Sequence, residues 1–209
     1  VNGHTNDFVE MLSHGRIDLM IGHDTFPSDD LETETIFEEA IYLLATGRFL
    51  AAHVPGWTDD QDWIEPFQIP LLPMTCTSFG CAVMDHLNTF FIKEHVQPHY
   101  LCEVVDYMTQ LSLCRDSHTA FFCPESYMIQ KDFTEAMHQE GENRVMAVPV
   151  QGMDSKIHVE LISAREDFTP RYLKDFREIL LEEYRSKVIP AQNLCPVRTE
   201  QAAFPAALT

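Results

Sequence analysis

A chain of 209 residues, 45% of them hydrophobic, can bury a core and suits one large domain or two small lobes. Its net charge of −19, with histidines neutral, repels phosphate backbones and anionic membranes, which argues against nucleic-acid or membrane-surface binding by this chain alone. The cysteines Cys76, Cys81, Cys102, Cys114, Cys123 and Cys195 form no CxxC pair and read as reduced thiols of a cytoplasmic protein, while no run approaches the ~20 apolar residues of a membrane span.

In chain order, Thr5 can cap a helix whose Phe8, Val9, Met11 and Leu12 share a face, and Gly15 ends it. Ile17–Ile21 predicts a short buried strand. Leu31–Phe37 and Ala40–Thr46 predict two more, and Val54–Gln68, with its prolines and aspartates, a surface loop. Ile69–Leu72 predicts a strand, Met74–Ser78 a polar turn, and Phe79, Val83, Leu87, Phe90 and Phe91 a helix through Glu94. Then come a strand at Tyr100–Val105, a helix at Tyr107–Cys114, a strand at Thr119–Cys123 and a short helix opened by Pro124 in its first turn. Arg144–Val150 and Lys156–Ala164 read as strands. Thr169-Pro170 starts a last helix with Leu173, Phe176, Ile179 and Leu180 on its apolar face, and Ile189–Thr209 reads as a tail.

Strands alternating with helices predict an α/β protein with mainly parallel sheets in two Rossmann-like lobes: 1–68 as the first part of lobe one, 69–149 as lobe two, 150–187 as the return to lobe one, and 188–209 as the tail. Such folds bind ligands beyond the carboxyl ends of strands, at the switch point or between lobes.

VEMLSHGRIDLMIG resembles the helix–glycine–Ile-Asp–strand segment of the effector-binding domain of LysR-type transcriptional regulators. LETETIFEEAIYLLATGRFLAAHVPGW resembles the segment that follows it, with His53-Val54-Pro55 where the family has a His-Pro-like turn. QIPLLPMTCTSFGCAVMDHLNTFFIKEHVQPHY is similar to the family's strand, effector loop and long helix. RVMAVPVQG, IHVELISARE and TPRYLKDFREIL are similar to its return to lobe one. The resemblance runs from Val9 to Tyr184 and rests on order and spacing. It implies a fold like that of type II periplasmic binding proteins, an effector in the cleft, pairing with further copies as a homodimer or tetramer, and DNA contact only through a helix-turn-helix domain. That domain, its linker helix and a first strand and helix would precede Val1. In LCRDSHTAFFCP, Ser117 and His118 replace the small residues of a glycine-rich turn, which predicts a reshaped wall of the site.

The candidate effector residues follow. Thr75-Cys76-Thr77-Ser78 precedes a helix whose free N–H groups and dipole favour an anion, and an ordinary capping turn reads the same way. His23-Asp24 would end a strand at the cleft, with a solvated turn as the alternative. Tyr107, Ser117 and His118 can face the cleft, with a core aromatic and a capping serine as the plainer readings. Cys76, placed near a helix start, can carry a depressed pKa and sense redox state with Cys81 or Cys114 as partner, as reactive cysteines in the corresponding loop do in peroxide-sensing family members. Cys114, His118 and Cys123 match no zinc spacing. No P-loop, G-x-S-x-G or dinucleotide motif occurs, so neither a cofactor nor an enzyme is expected. The rival reading is an extracytoplasmic solute-binding protein of the same fold, which fold alone does not separate from a regulator. The helices Thr5–His14 and Phe79–Glu94 are the expected contacts with a second copy.

Overall fold

Sixteen residues that read as two strands form one, β2 (Leu31–Thr46). A bulge between Thr35 and Phe37 adds a residue and re-aims the side chains, so the alternation changes phase inside a continuous strand. The first half of β2 pairs with β7 (Lys156–Ala164). The second half pairs with β5 (Phe121–Pro124) on one edge and β6 (Val145–Val148) on the other. Its last four residues are buried on both faces, as befits a strand covered on two sides.

The computed structural model describes residues 5–23, 29–58, 61, 63–165 and 170–187. The expected cap at Thr169, the tail Ile189–Thr209 and Cys195 lie outside them. Helix α1 (Thr5–Ser13) ends as the sequence predicts: Gly15 takes a φ of +63°, its N–H bonds Leu12 O, and the Arg16 N–H bonds Met11 O. Strand β1 (Leu19–His23) then pairs with β7, giving the order β1-β7-β2-β5, with β6 also on β2.

Every pair in this sheet is antiparallel. The expectation of mainly parallel sheets is corrected here, because β7 returns between β1 and β2 and runs against both. Among the described residues, parallel pairing is confined to β3 (Pro73–Cys76) with β4 (His99–Glu103) and to single bridges. The architecture remains the expected α/β one in two lobes sharing β2.

Between β2 and β3, helix α2 (Gly47–His53) is capped by Thr46, whose Oγ1 accepts from the Phe49 N–H at 3.2 Å. The strand expected at Ile69–Leu72 is a 3-10 helix, Pro66–Leu71: Glu65 and Gln68 form a capping box and Pro66 fits the first turn. The chain becomes β3 only at Pro73. Helix α3 spans Ala82–Lys93, α4 Tyr107–Arg115, α5 Glu125–Met128, α6 Lys131–His138 and α7 Arg171–Lys187. Pro124 stands at the N-cap of α5 rather than inside its first turn.

The buried side chains separate the lobes. One core joins Ile41, Leu43 and Ala45 of β2 with Phe49, Ile64, Ile69, Leu72 and Met74 and with Val83, Leu87 and Phe91 of α3, so residues 41–68 pack with 69–150. A second core in the same lobe gathers Leu44, Tyr107, Phe121, Cys123 and Phe133. The other lobe has two small cores, Leu12-Met20-Leu31-Ile162 and Ile36-Val159-Leu161-Leu181. On α7 the expected apolar face is split: Leu173 and Leu180 are half-buried, Phe176 and Ile179 are exposed, and Leu181 is buried.

Candidate functional site

Strand direction fixes where a ligand can approach. Pro124 pairs with Ile41, so β5 ends where β2 passes from one lobe to the other. Met74 bridges Ala120 in parallel, and β3 and β4 are parallel, so β3, β4 and β5 all end on that side. Three helix starts therefore face the lobe junction: α3 after Thr77-Ser78, α4 after Asp106, and α5 after Pro124. Asp106 caps α4 by accepting from the Thr109 N–H at 2.8 Å and its hydroxyl at 2.7 Å, and these bonds hold its carboxyl below the usual range.

The four residues of the predicted anion loop divide into two kinds. Thr75 and Cys76 belong to β3. The Thr75 hydroxyl donates to Gln110 Oε1 at 2.8 Å, and Gln110 Nε2 donates to Val104 O, so Thr75 is committed to the protein. Thr77 and Ser78 lie past the strand end, only 9% and 7% exposed, and among the described residues neither hydroxyl has a hydrogen-bond partner. Neither oxygen is among the buried unpartnered polar atoms of the described residues, so both reach solvent and are free to bond a ligand in the loop before α3. Cys81 sits at the N-cap of α3 without a side-chain capping bond. A thiol is a weak acceptor, which leaves the first-turn N–H groups of α3 poorly satisfied.

Cys76 does not have the depressed pKa expected for a helix start. It ends a strand, and its thiol is pushed up to about 11 by burial first and by the Glu103 carboxylate next. Cys81, nearer the helix, is also raised: burial outweighs the Met84 and Val83 N–H groups that face its sulfur. Cys114 is pushed up to about 12 by burial. All three favour the unreactive protonated form at neutral pH.

At the junction, His23 Nε2 lies 2.8 Å from Glu39 Oε1, while Glu39 Oε2 accepts from the Ser126 N–H at 2.7 Å. Glu39 is 3% exposed. The Ala40 N–H donates to Glu125 Oε2 at 3.3 Å and the Ile41 N–H to Ser155 O at 2.9 Å, so the crossover of β2 is bonded to both neighbouring segments. Sequence reasoning missed Glu39 and Ser126. The signal was there: once β2 is read through its bulge, Glu39 takes the inward register of Ile41, Leu43 and Ala45.

Residues 1–185 match the family model of the LysR substrate binding domain. The chain belongs to that family. Among solved structures of the same fold, it resembles the effector-binding domain of QuiR in complex with shikimate (13% identity, TM-score 0.68, covering 90% of this chain and 81% of that one). It also resembles the regulatory domain of CcmR from Synechocystis PCC6803 in complex with 2-PG (8% identity, TM-score 0.69, 88% and 81% covered). Against full-length CbnR complexed with its target DNA (16% identity, TM-score 0.63), 88% of this chain is matched and it spans 58% of the CbnR chain. Among curated proteins, none matches the chain. CbnR is a LysR family transcriptional regulator. Among the described residues, no helix is long and apolar enough to cross a membrane.

Within this LysR domain, the remaining predicted residues scatter. Asp24 lies outside the described residues. Tyr107 is buried against Tyr127, with ring centroids 4.3 Å apart, and its hydroxyl is raised above its ordinary range chiefly by burial, which fits the core-aromatic reading. Ser117 and His118 stand at the start of β5, the end away from the junction. Ser117 closes α4 with a φ of +58°: its N–H bonds Cys114 O and the His118 N–H bonds Leu113 O. Its hydroxyl lies 2.8 Å from Thr46 Oγ1 at the far end of β2. The LysR domain also has a cavity of about 450 Å³ away from the junction, between the α1–β1 turn and α7, lined by Leu12, Ile17, Leu19, Leu173, Leu181 and Arg177 among others.

Proposed function

We propose that this chain is the sensing part of a LysR-type regulator and that it binds a small molecule bearing a carboxylate or similar anion between its lobes, at Thr77, Ser78 and the start of α3. The carrying observation is the pair of hydroxyls in the loop before that helix start, which reach solvent and have no hydrogen-bond partner among the described residues. An anion there accepts from both hydroxyls and from the first-turn N–H groups, and the 12-residue helix adds its dipole. His23, at the end of β1 in the opposite lobe, is a candidate for a second contact. The QuiR and CcmR domains, of the same fold, are solved with shikimate and 2-PG, which supports a small-molecule ligand here.

The lobes meet, on this reading, at Glu39–Ile41 and Ser155–Lys156, not near residues 68 and 150. Binding changes the angle between them only by the difference in affinity for the two arrangements. In the whole regulator that change acts on DNA through a separate DNA-binding domain, as the length and DNA complex of CbnR support. Self-association is part of this reading. The exposed Ile92 of α3 and Leu101 of β4, an edge strand of the two-stranded sheet, offer an apolar contact to a second copy.

The test is thermal unfolding against a panel of small carboxylates, shikimate included, for the wild type and for Thr77→Val/Ser78→Ala. At a hundredfold excess over Kd a hit raises Tm by roughly 5–10 °C. The double variant is expected to keep its own Tm and lose the shift. A hit whose shift survives in the variant places the anion elsewhere and overturns this site.

A further inference from the structure

We propose that Glu39 is the positioning residue of the lobe junction: one buried carboxylate holds His23 of lobe one and the first turn of α5 in lobe two as a single hydrogen-bonded unit and so sets the angle between the lobes. The inference rests on the two-lobe reading above but on no ligand.

A carboxylate that is 3% exposed must be bonded or paired to be tolerated. Glu39 uses one oxygen for each lobe: Oε1 for His23 Nε2 at 2.8 Å and Oε2 for the Ser126 N–H at 2.7 Å. It stands two residues before Ile41, on the strand that both lobes share, with Cys123 of β5, Tyr107 of α4 and Tyr127 of α5 close enough to feel its charge. Glu38, its neighbour, points the other way and pairs with Lys156 at 3.0 Å on the exposed face. A rotation of the lobes about the crossover that separates β1 from α5 strains the Glu39 bonds. An ionised Glu39 is an acceptor only, so its bond to His23 requires a proton on Nε2.

Two measurements on the full 209-residue chain test this. Spin labels introduced through a noncanonical amino acid at Glu10 in lobe one and Ser112 in lobe two report the interlobe distance. Ring 15N shifts report the His23 tautomer. Wild type and the control Glu38→Gln are expected to show one narrow distance and the Nε2–H form. Glu39→Met should broaden the distance distribution at least twofold and release the tautomer. Ile162→Ala, which weakens lobe one away from the junction, should lower Tm and leave both readouts alone. Should Glu39→Met not fold, Glu39→Gln decides: its amide oxygen still accepts from Ser126, but its NH2 meets His23, so the ring proton must move to Nδ1. A wild-type distance distribution in Glu39→Met, or an unmoved proton in Glu39→Gln, overturns the proposal. Neither result bears on whether carboxylates bind at Thr77 and Ser78.

Discussion

The two lobes are built on the same strand but stabilised differently. Lobe two surrounds its half of β2 with α2, α3, α4 and α6 and buries large side chains such as Phe49, Phe121 and Phe133 completely. Lobe one depends on strand pairing, β1 to β7 to β2, with, among the described residues, four buried side chains on each face and Ile21, Tyr172, Phe176 and Ile179 left exposed. Burial of apolar surface is the main source of stability, so lobe two is the rigid partner and lobe one opens first. On the proposed reading this asymmetry has a use: the helix starts offered to the ligand sit on the firmer lobe, and the other lobe moves against it.

The sharpest way to break this contrast is to hollow out each lobe. Of two like substitutions at a cost of about 2–5 kcal/mol, Leu111→Ala in lobe two should fall at the upper end and Leu161→Ala in lobe one at the lower end. Thermal or denaturant unfolding measures both, and equal losses would remove the asymmetry. Amide exchange offers the same comparison without mutation: protection of β1 and β7 should fall below that of β5 and β6.

Within lobe two the contrast is between neighbouring thiols and neighbouring hydroxyls. Raised from 9.0 to about 11, Cys76 should react with iodoacetamide at neutral pH about 100-fold more slowly than an ordinary thiol, while the exposed Cys102 labels at once. Because its folded pKa is the higher one, the stability Cys76 contributes is present below pH 9.0 and is lost as the pH rises through about 11. Rapid labelling of Cys76, followed by peptide mass spectrometry, would restore the redox reading. Thr75→Val strands Gln110 and should cost about 1–3 kcal/mol, whereas Thr77→Val and Ser78→Ala should stay within about 0.5 kcal/mol.

The smallest effect belongs to the exposed Glu38–Lys156 pair. Lys156 lowers the Glu38 carboxyl from 4.5, so the contribution of the pair is present above that pH and fades as the pH falls through the lower folded value. Glu38→Gln should flatten the acid limb of the stability curve slightly, and a large change would mean that the pair is less exposed than it stands.

Lobe one was the more legible lobe. Strand β7 runs over the residues that its alternation predicts, and Gly15 ends α1 through the bonds its position implies. What failed there was long-range: nothing local says that β7 threads between β1 and β2 against both. In lobe two, local rules competed. Ile69–Leu72 reads as a strand by hydrophobicity, but the Glu65–Gln68 capping box with Pro66 makes a helical turn and moves β3 to Pro73. That shift turned Cys76 from a helix-start thiol into a strand thiol. The anion loop was legible as a group. That only Thr77 and Ser78 of it are free depended on Gln110, which lies 35 positions from Thr75 and becomes its neighbour only in the fold. Glu39 was hidden by the bulge, which made one strand look like two.

The most direct test of a ligand at the junction is an amide chemical-shift map of the chain titrated with the carboxylate that raises its Tm most. The largest shifts are expected at residues 77–84, with smaller ones at His23 and Ser126. Shifts that spare those residues and gather instead at Leu12, Leu19, Leu173 and Arg177, around the cavity beside α7, would contradict the account.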